Sequence, residues 1–335
     1  MLRRLSSTMN PRLFRIDGSF AVAEGRARGS SQGVSPLNHA LPTLSAAVAA
    51  DIVRLGRPDQ KLRARAFYED AGVSLVVHGR LRVPWPYRSV LHRGASIQRR
   101  IGPASGFALS RPLDRGRGWQ YAWLVEESLQ GRHLDVRAWQ DAMPQVLEGL
   151  ARLWLSGGVQ HVPMERVIPR RSAASLLAMV EQWSDLEVDG PELAENARRL
   201  LAGNGLVAWG WCHGDPVRSN FLLLPDGRLA LVDWESASRR ALAHDATKTM
   251  IESADPRAHA DAVASLLGRA NVTHDLPWHD QMAVALLARL EGSRRRGRRA
   301  RVSGQADLII AKRRRDIRLL ASLLIGRPSR LSRLP

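Results

Sequence analysis

Four polar side chains within one short stretch are spaced to work together. Residues 213–235 read HGDPVRSNFLLLPDGRLALVDWE, and the fixed points are His213, Asp215, Asn220 and Asp233. Gly214 and Pro216 make a tight loop that Asp215 opens and Asn220 closes. Phe221–Leu224 and Leu229–Val232 are short apolar runs, and the Pro225-Asp226-Gly227 between them signals a hairpin turn. A hairpin brings its ends together, so Asn220 and Asp233 are expected to be neighbours although twelve residues intervene. An amide oxygen and a carboxylate side by side suit a hard cation such as Mg²⁺, which completes its shell with phosphate and water. Asp215 would then orient and deprotonate an incoming hydroxyl. Phosphoryl transfer needs little more, because its chemistry is mainly positioning and electrostatics. The plainer alternative makes His213 and Asp215 a loop hydrogen-bond pair and Asp233 an ordinary turn residue.

This stretch resembles the aminoglycoside phosphotransferase and choline kinase family, relatives of the protein kinases. In that family HGDxxxxN forms the catalytic loop and an Asp thirteen residues after the Asn binds metal; Asn220 and Asp233 are also thirteen apart. The resemblance implies Asp215 as catalytic base, Asn220 and Asp233 as Mg²⁺ ligands, and His213 as a brace for the loop. Asp245, in AHDATK, is similar to the family's later Asp that anchors the catalytic loop. WLVEESLQG, which contains Glu126, resembles the segment that joins the two lobes and holds the adenine of ATP. The match covers roughly residues 121–250. It implies an ATP- and Mg²⁺-dependent transfer of the γ-phosphoryl group to a hydroxyl of a small molecule: a sugar, an amino alcohol or an aminoglycoside-like compound.

One expected part departs from the family's pattern. The family carries a Lys in the N-terminal sheet that touches the nucleotide phosphates, paired with a Glu on the next helix. Lys61 is the sole lysine before the catalytic loop, and it lies in QKLRARAF without a clear strand leading into it. Arg88 and Arg93 are alternatives, although Arg differs in reach and geometry. No acidic partner stands out between Arg88 and Gly106. The competing reading is therefore a catalytically degenerate kinase-fold protein with a binding or regulatory role.

The elements that must position these residues fall into segregated blocks. A short helix is predicted at about Ala46–Leu55, then strands at Ala64–Tyr68, Val73–Val77 and Arg80–Val83, with Gly72 and His78-Gly79 as turns. Phe107–Leu109 and Tyr121–Glu126 read as further strands. A helix follows Gly131, with Pro144 suited to its first turn and Gly157-Gly158 at its end. Helices are predicted over Ser172–Trp183 and Pro191–Leu201, and a strand over Val207–Cys212. After the hairpin come helices at Ala241–Ile251, Ala258–Leu267, Asp280–Leu290 and Asp307–Leu324. Blocks of strands and helices argue an α+β class rather than alternating α/β. With the resemblance this becomes a protein-kinase-like two-lobe fold: residues 1–36 a basic, disordered tail, 37–127 a β-rich lobe, 128–325 a helical lobe carrying the catalytic loop, and 326–335 a tail. No GxxxxGK[ST] loop is present, which excludes a P-loop kinase.

Composition sets the remaining bounds. The 335 residues are 44% hydrophobic, enough for a sizeable core. The net charge is +18, carried almost wholly by Arg, since Lys61, Lys248 and Lys312 are the only lysines. Such a balance favours anionic partners, with solvated surface as the plainer reading. The densest basic region, Ser293–Arg301 with Lys312–Arg315, could meet an anionic surface; it lacks interleaved aromatics, so stacking on single-stranded nucleic acid is unsupported. Asp185, Glu187 and Asp189 form an acidic group, read as a solvated loop or as a contact for a cationic acceptor. A single cysteine, Cys212, excludes an intramolecular disulfide and fits a reducing cytoplasm. No apolar stretch is long enough for a transmembrane helix. The N-terminal MLRRLSSTMNPRLFR resembles an organelle transit peptide; a disordered tail, or a start at Met9, are the alternatives.

Overall fold

The computed structural model describes residues 49–51, 62–68, 72–79, 90–117, 121–185, 188–269, 276–300 and 306–325. Lys61, the expected strand Arg80–Val83 and both expected tails lie outside these residues. The chain divides into two compact units. One draws on residues up to 103, 107–132 and 222–236; the other on 104–106, 133–221 and 237 onward.

The first unit is built on a five-stranded antiparallel sheet. Its strands are β1 (Ala49–Asp51), β2 (Leu62–Tyr68), β3 (Val73–Gly79), β4 (Pro112–Arg117) and β5 (Tyr121–Glu127), in the order β1-β2-β3-β5-β4. Gly72, at a φ of +61°, supplies the left-handed turn that lets β2 fold back as β3. Helix α1 (Val90–Ile101) buries Leu91, Ala95, Gln98 and Ile101, and its Leu91 and Ala95 join Val76 and Leu124 of the sheet in one apolar cluster. Gly94 on this helix permits a close approach, since a Cβ there would sit 2.5 Å from the backbone oxygen of Trp234. The hairpin closes this unit: β11 (Phe221–Leu223) and β12 (Leu229–Leu231) are neighbours in a sheet with β6 (Arg132–His133). Its turn is held by Leu224 N donating to Arg228 O at 2.9 Å, and Gly227 takes the positive φ of +80°.

Three local expectations in this unit are corrected. Ala49–Asp51 is an edge strand paired with Phe67–Arg65, not part of a helix; ladder hydrogen bonds override the helix preference of its alanines. His78 and Gly79 continue β3 and pair with Ala122 and Tyr121, so they are not a turn. Of Phe107–Leu109 only Ala108 bridges a neighbour, Ala230, and that pairing is parallel.

The second unit is mainly helical. Helix α2 (Val136–Ser156) is N-capped by Asp135, whose side chain accepts from Ala138 N at 2.8 Å. Trp139, Val146, Leu150, Leu153 and Trp154 give it a buried face at helical spacing. Pro144 lies inside this helix rather than in its first turn, because the chain enters the helix earlier, at the Asp135 cap. Helices α3 (Arg170–Glu181) and α4 (Gly190–Ala202) follow, with Asp189 capping α4 through Glu192 N at 3.0 Å. Asp185 and Asp189 belong to the two-stranded ribbon of β8 (Ser184–Asp185) and β9 (Val188–Asp189). Strand β10 (Leu206–Cys212) runs between β7 (Gln160–Pro163) and β13 (Ser238–Ala241). Helices α5 (Ala243–Met250), α6 (Pro256–Arg269), α7 (Trp278–Ala300) and α8 (Ala306–Leu324) complete the unit. Part of the basic region is spent in packing α8 on α7, since Arg313 donates to the Ser293 carbonyl at 2.9 Å; next to this region Arg289 pairs with the buried Asp316 at 2.7 Å. No helix among the described residues is long and apolar enough to cross a membrane.

Candidate active site

The candidate catalytic loop begins where β10 ends, at Cys212. Val207, Ala208 and Cys212 of that strand are buried, which fixes the point from which His213 leaves the sheet. Burial pushes the Cys212 thiol well above its ordinary pKa, so this cysteine is an inert packing group whose Sγ lies 3.6 Å from Ala241 O.

Asp245, in the first turn of α5, organises the loop. Its carboxylate, fully buried, accepts from His213 N at 2.7 Å and from Gly214 N at 2.8 Å, and Trp154 Nε1 approaches at 3.4 Å. Burial alone would raise the pKa of this carboxyl. Contact with His244 and the nearby His213 and Arg240 outweigh burial and leave it below its usual value; the two amides act in the same sense. His244 Nδ1 stands 3.5 Å from Asp245 Oδ1, at the edge of hydrogen-bond range. Gly214, at a φ of +89°, takes a backbone conformation that a side chain would strain, and that turns the chain toward Asp215.

Asp215 is half-buried, and Lys248 Nζ donates to its Oδ1 at 2.6 Å. Asn220 Nδ2 donates to Asp215 O at 2.8 Å. That bond commits the amide nitrogen of Asn220 to the loop, so its oxygen is the end suited to a cation. The loop's far side is braced by Glu252, which accepts from Arg218 N at 2.6 Å, and by Arg218 Nη1 donating to Leu134 O at 3.3 Å. His213, Asp215, Asn220 and Asp245 are thus brought together in the second unit.

Asp233 follows β12 in the first unit, at a φ of +63°, the one non-glycine residue with positive φ among the described residues. An Asp tolerates this region better than most side chains, at a modest cost. Asp233 and Glu126 line a common cavity of about 20 Å³ together with Val76, Leu91, Gln98 and Ser110. This volume is of the order of one water. Glu126 is buried in β5 and accepts from Ser74 Oγ at 3.4 Å, while its backbone pairs with Ser74 of β3.

Two features escaped the sequence. Lys248 gave no signal because its contact with Asp215 joins residues 33 apart in the chain. On β3, the buried His78 points Nε2 at Glu235 Oε1, 2.8 Å away. Helix α1, the helix that follows this sheet strand, contains no acidic residue, so the expected helix Glu has no counterpart there and an acid from the DWE segment meets β3 instead.

The profile of the phosphotransferase enzyme family (APH) matches residues 52–273. The chain belongs to that family. Among solved structures, that of aminoglycoside phosphotransferase APH(4)-Ia superposes with a TM-score of 0.51 at 14% identity, covering 82% of this chain and 94% of the other. A thermostable mutant of the same enzyme, in ternary complex with AMP-PNP and hygromycin B, gives 0.50 at 12% identity, covering 82% and 93%. At these identities the likeness is one of fold, the protein-kinase-like phosphotransferase fold. A curated relative, the Glutamyl-Q tRNA(Asp) synthetase of Burkholderia mallei, is 31% identical over 179 residues. That alignment covers 50% of this chain and 59% of the length of the relative.

Proposed function

We propose that this family member transfers the γ-phosphoryl group of ATP to a hydroxyl of a small molecule, with Mg²⁺ as cofactor. The observation that carries the reading is the built loop: Asp245 clamps the amides of His213 and Gly214 while Asn220 ties back to Asp215, so that a half-buried carboxylate is presented on a rigid turn. Asp215 takes the proton of the acceptor hydroxyl. Asn220 and Asp233 supply oxygens to Mg²⁺, an assignment that rests on their thirteen-residue spacing and on the donor set, since an amide oxygen and a carboxylate suit a hard cation. When bound, the ion spreads the charge of the phosphates. Lys248 places a positive charge beside the reacting oxygen. The segment around Glu126 holds the adenine, and Lys61 is retained as a candidate phosphate contact from the sequence alone. The AMP-PNP in the related ternary complex supports the choice of nucleotide.

A second reading, a degenerate kinase fold that binds without catalysis, draws on α1 having no acid to pair with a phosphate-binding cation. Calorimetry with Mg-ATP, together with ATP hydrolysis measured without acceptor, separates the two. The enzyme reading expects saturable, Mg²⁺-dependent binding and slow hydrolysis. A folded protein showing neither contradicts it.

A further inference from the structure

The second unit contains a concave pocket of about 430 Å³, a size that suits a small molecule. Arg166, Trp209, Arg240, His244, Lys248 and Arg289 form its polar wall, and no carboxylate lines it among the described residues. The pocket reaches the candidate base, because the same Lys248 that lines it donates to Asp215 at 2.6 Å.

Each cation is held in place. The Arg166 guanidinium stacks on Trp209, 4.8 Å from the ring centroid. Arg240 donates through Nε to Ser238 Oγ at 3.0 Å and faces His244 Nε2 with Nη1 at 3.3 Å. Burial pushes the His244 imidazole below its ordinary pKa despite the opposing contact with Asp245, so this ring is neutral at pH 7 and can accept from Arg240. Arg289 is tied to Asp316 at 2.7 Å, a carboxylate behind the wall. Four cationic groups thus face the pocket, and the carboxylates beside them, Asp215, Asp245 and Asp316, lie outside its lining. A pocket of this sign repels an amine and attracts an anion.

We propose that this pocket is the acceptor site and that the acceptor is a hydroxyl compound bearing a carboxylate or a phosphate, held through Arg166 and Arg240 with its hydroxyl toward Asp215. The proposal rests on the phosphotransferase reading and narrows it to anionic acceptors. In the step, the acceptor oxygen forms a bond to the γ-phosphorus of ATP and the bond from that phosphorus to the ADP oxygen breaks. The hydroxyl proton passes to the Asp215 carboxylate. The products are ADP and a phosphate monoester of the acceptor.

Four compounds on one carbon skeleton test it: glucose, glucosamine, gluconate and glucose 6-phosphate. Each is titrated calorimetrically into the full chain with Mg-ADP present, so that the nucleotide site is filled. The expected result is that gluconate or glucose 6-phosphate binds at least about tenfold more tightly than glucose, and glucosamine no more tightly than glucose. Which anion wins tells carboxylate from phosphate. Arg240→Ala and Arg166→Ala should each weaken the anion about tenfold, the loss of one charge-assisted hydrogen bond, and Arg240→Lys should recover most of that loss. Thermal melts of the variants report whether they fold, and the Lys variant keeps the test sound if an Ala variant does not. Glucosamine binding as tightly as the anions, no anion binding at all, or anion affinity indifferent to both arginines overturns the proposal. Mg-ATP titration of the same protein keeps the two readings apart. Binding of Mg-ATP with a preference for glucosamine sinks only the anionic acceptor, whereas no Mg-ATP binding sinks both.

Discussion

Lys248 Nζ lies 2.6 Å from Asp215 Oδ1, so helix α5 delivers both the cation on the candidate base and, through Asp245, the anchor of the loop that carries it. An ammonium at this place can neutralise charge as the proton and phosphoryl group move. Lys248→Ala is expected to lower kcat about ten- to a hundredfold while changing the KM for Mg-ATP less than about threefold. Steady-state kinetics decide; an effect confined to the KM for Mg-ATP would assign Lys248 to nucleotide binding instead.

Asp245 satisfies two buried amides at once. Asp245→Ala removes the acceptor of both amides inside a buried turn, at a cost of roughly 3 kcal/mol. Urea denaturation of the variant measures this directly. A loss well below about 1 kcal/mol would mean that water or a relaxed loop replaces the carboxylate.

Asp233 separates function from stability. At a φ of +63° its backbone sits where Asn and Gly are at ease. Asp233→Asn should therefore fold with a melting temperature close to the parent's, yet lose the Mg²⁺ dependence of ATP binding, because an amide is a far poorer ligand than a carboxylate for a hard cation. Calorimetric Mg-ATP titration of this variant that matches the parent would remove Asp233 from the metal site.

His259 predicts a pH response in the second unit. Burial pushes its imidazole down to about 4 from an ordinary 6.5, and Nε2 meets Thr249 Oγ1 at 3.0 Å. Between those two values the unfolded chain binds the proton and the folded chain does not. Stability is therefore fully present above about pH 6.5 and drains away as the pH falls toward 4, by roughly 3 kcal/mol in all. His259→Gln should flatten this part of the profile. Urea midpoints at pH 7.5, 5.5 and 4.5 check it; parallel profiles for parent and variant would contradict the assignment.

The candidate loop was legible in the sequence because its signals are local. HGDPVRSN is a turn with obligatory Gly214, and the Pro225-Asp226-Gly227 turn fixes the hairpin without reference to anything distant. Asp245 was legible only through its family resemblance, since its contacts with the amides of His213 and Gly214 join residues about thirty apart in the chain. What escaped depended on packing. Helix α1 carries Gly94 inside its twelve residues, which lowers its propensity; it forms because Leu91, Ala95, Gln98 and Ile101 are buried on one face and Gly94 admits the Trp234 backbone. β4, PLDRGR, has little strand character and is held by its pairing with β5. The contacts of Lys248 with Asp215 and of His78 with Glu235 join residues far apart in the chain, which no spacing rule reads.

The most direct test is Asp215→Asn assayed with Mg-ATP and an accepted hydroxyl compound, following ADP release and phosphorylated product side by side. This variant keeps the shape of the loop and removes the proton acceptor. The account predicts that transfer falls by at least about a thousandfold while Mg-ATP binding stays within a factor of about three, since the nucleotide does not depend on the base. Transfer at the parent's rate with Asn at position 215 would contradict it.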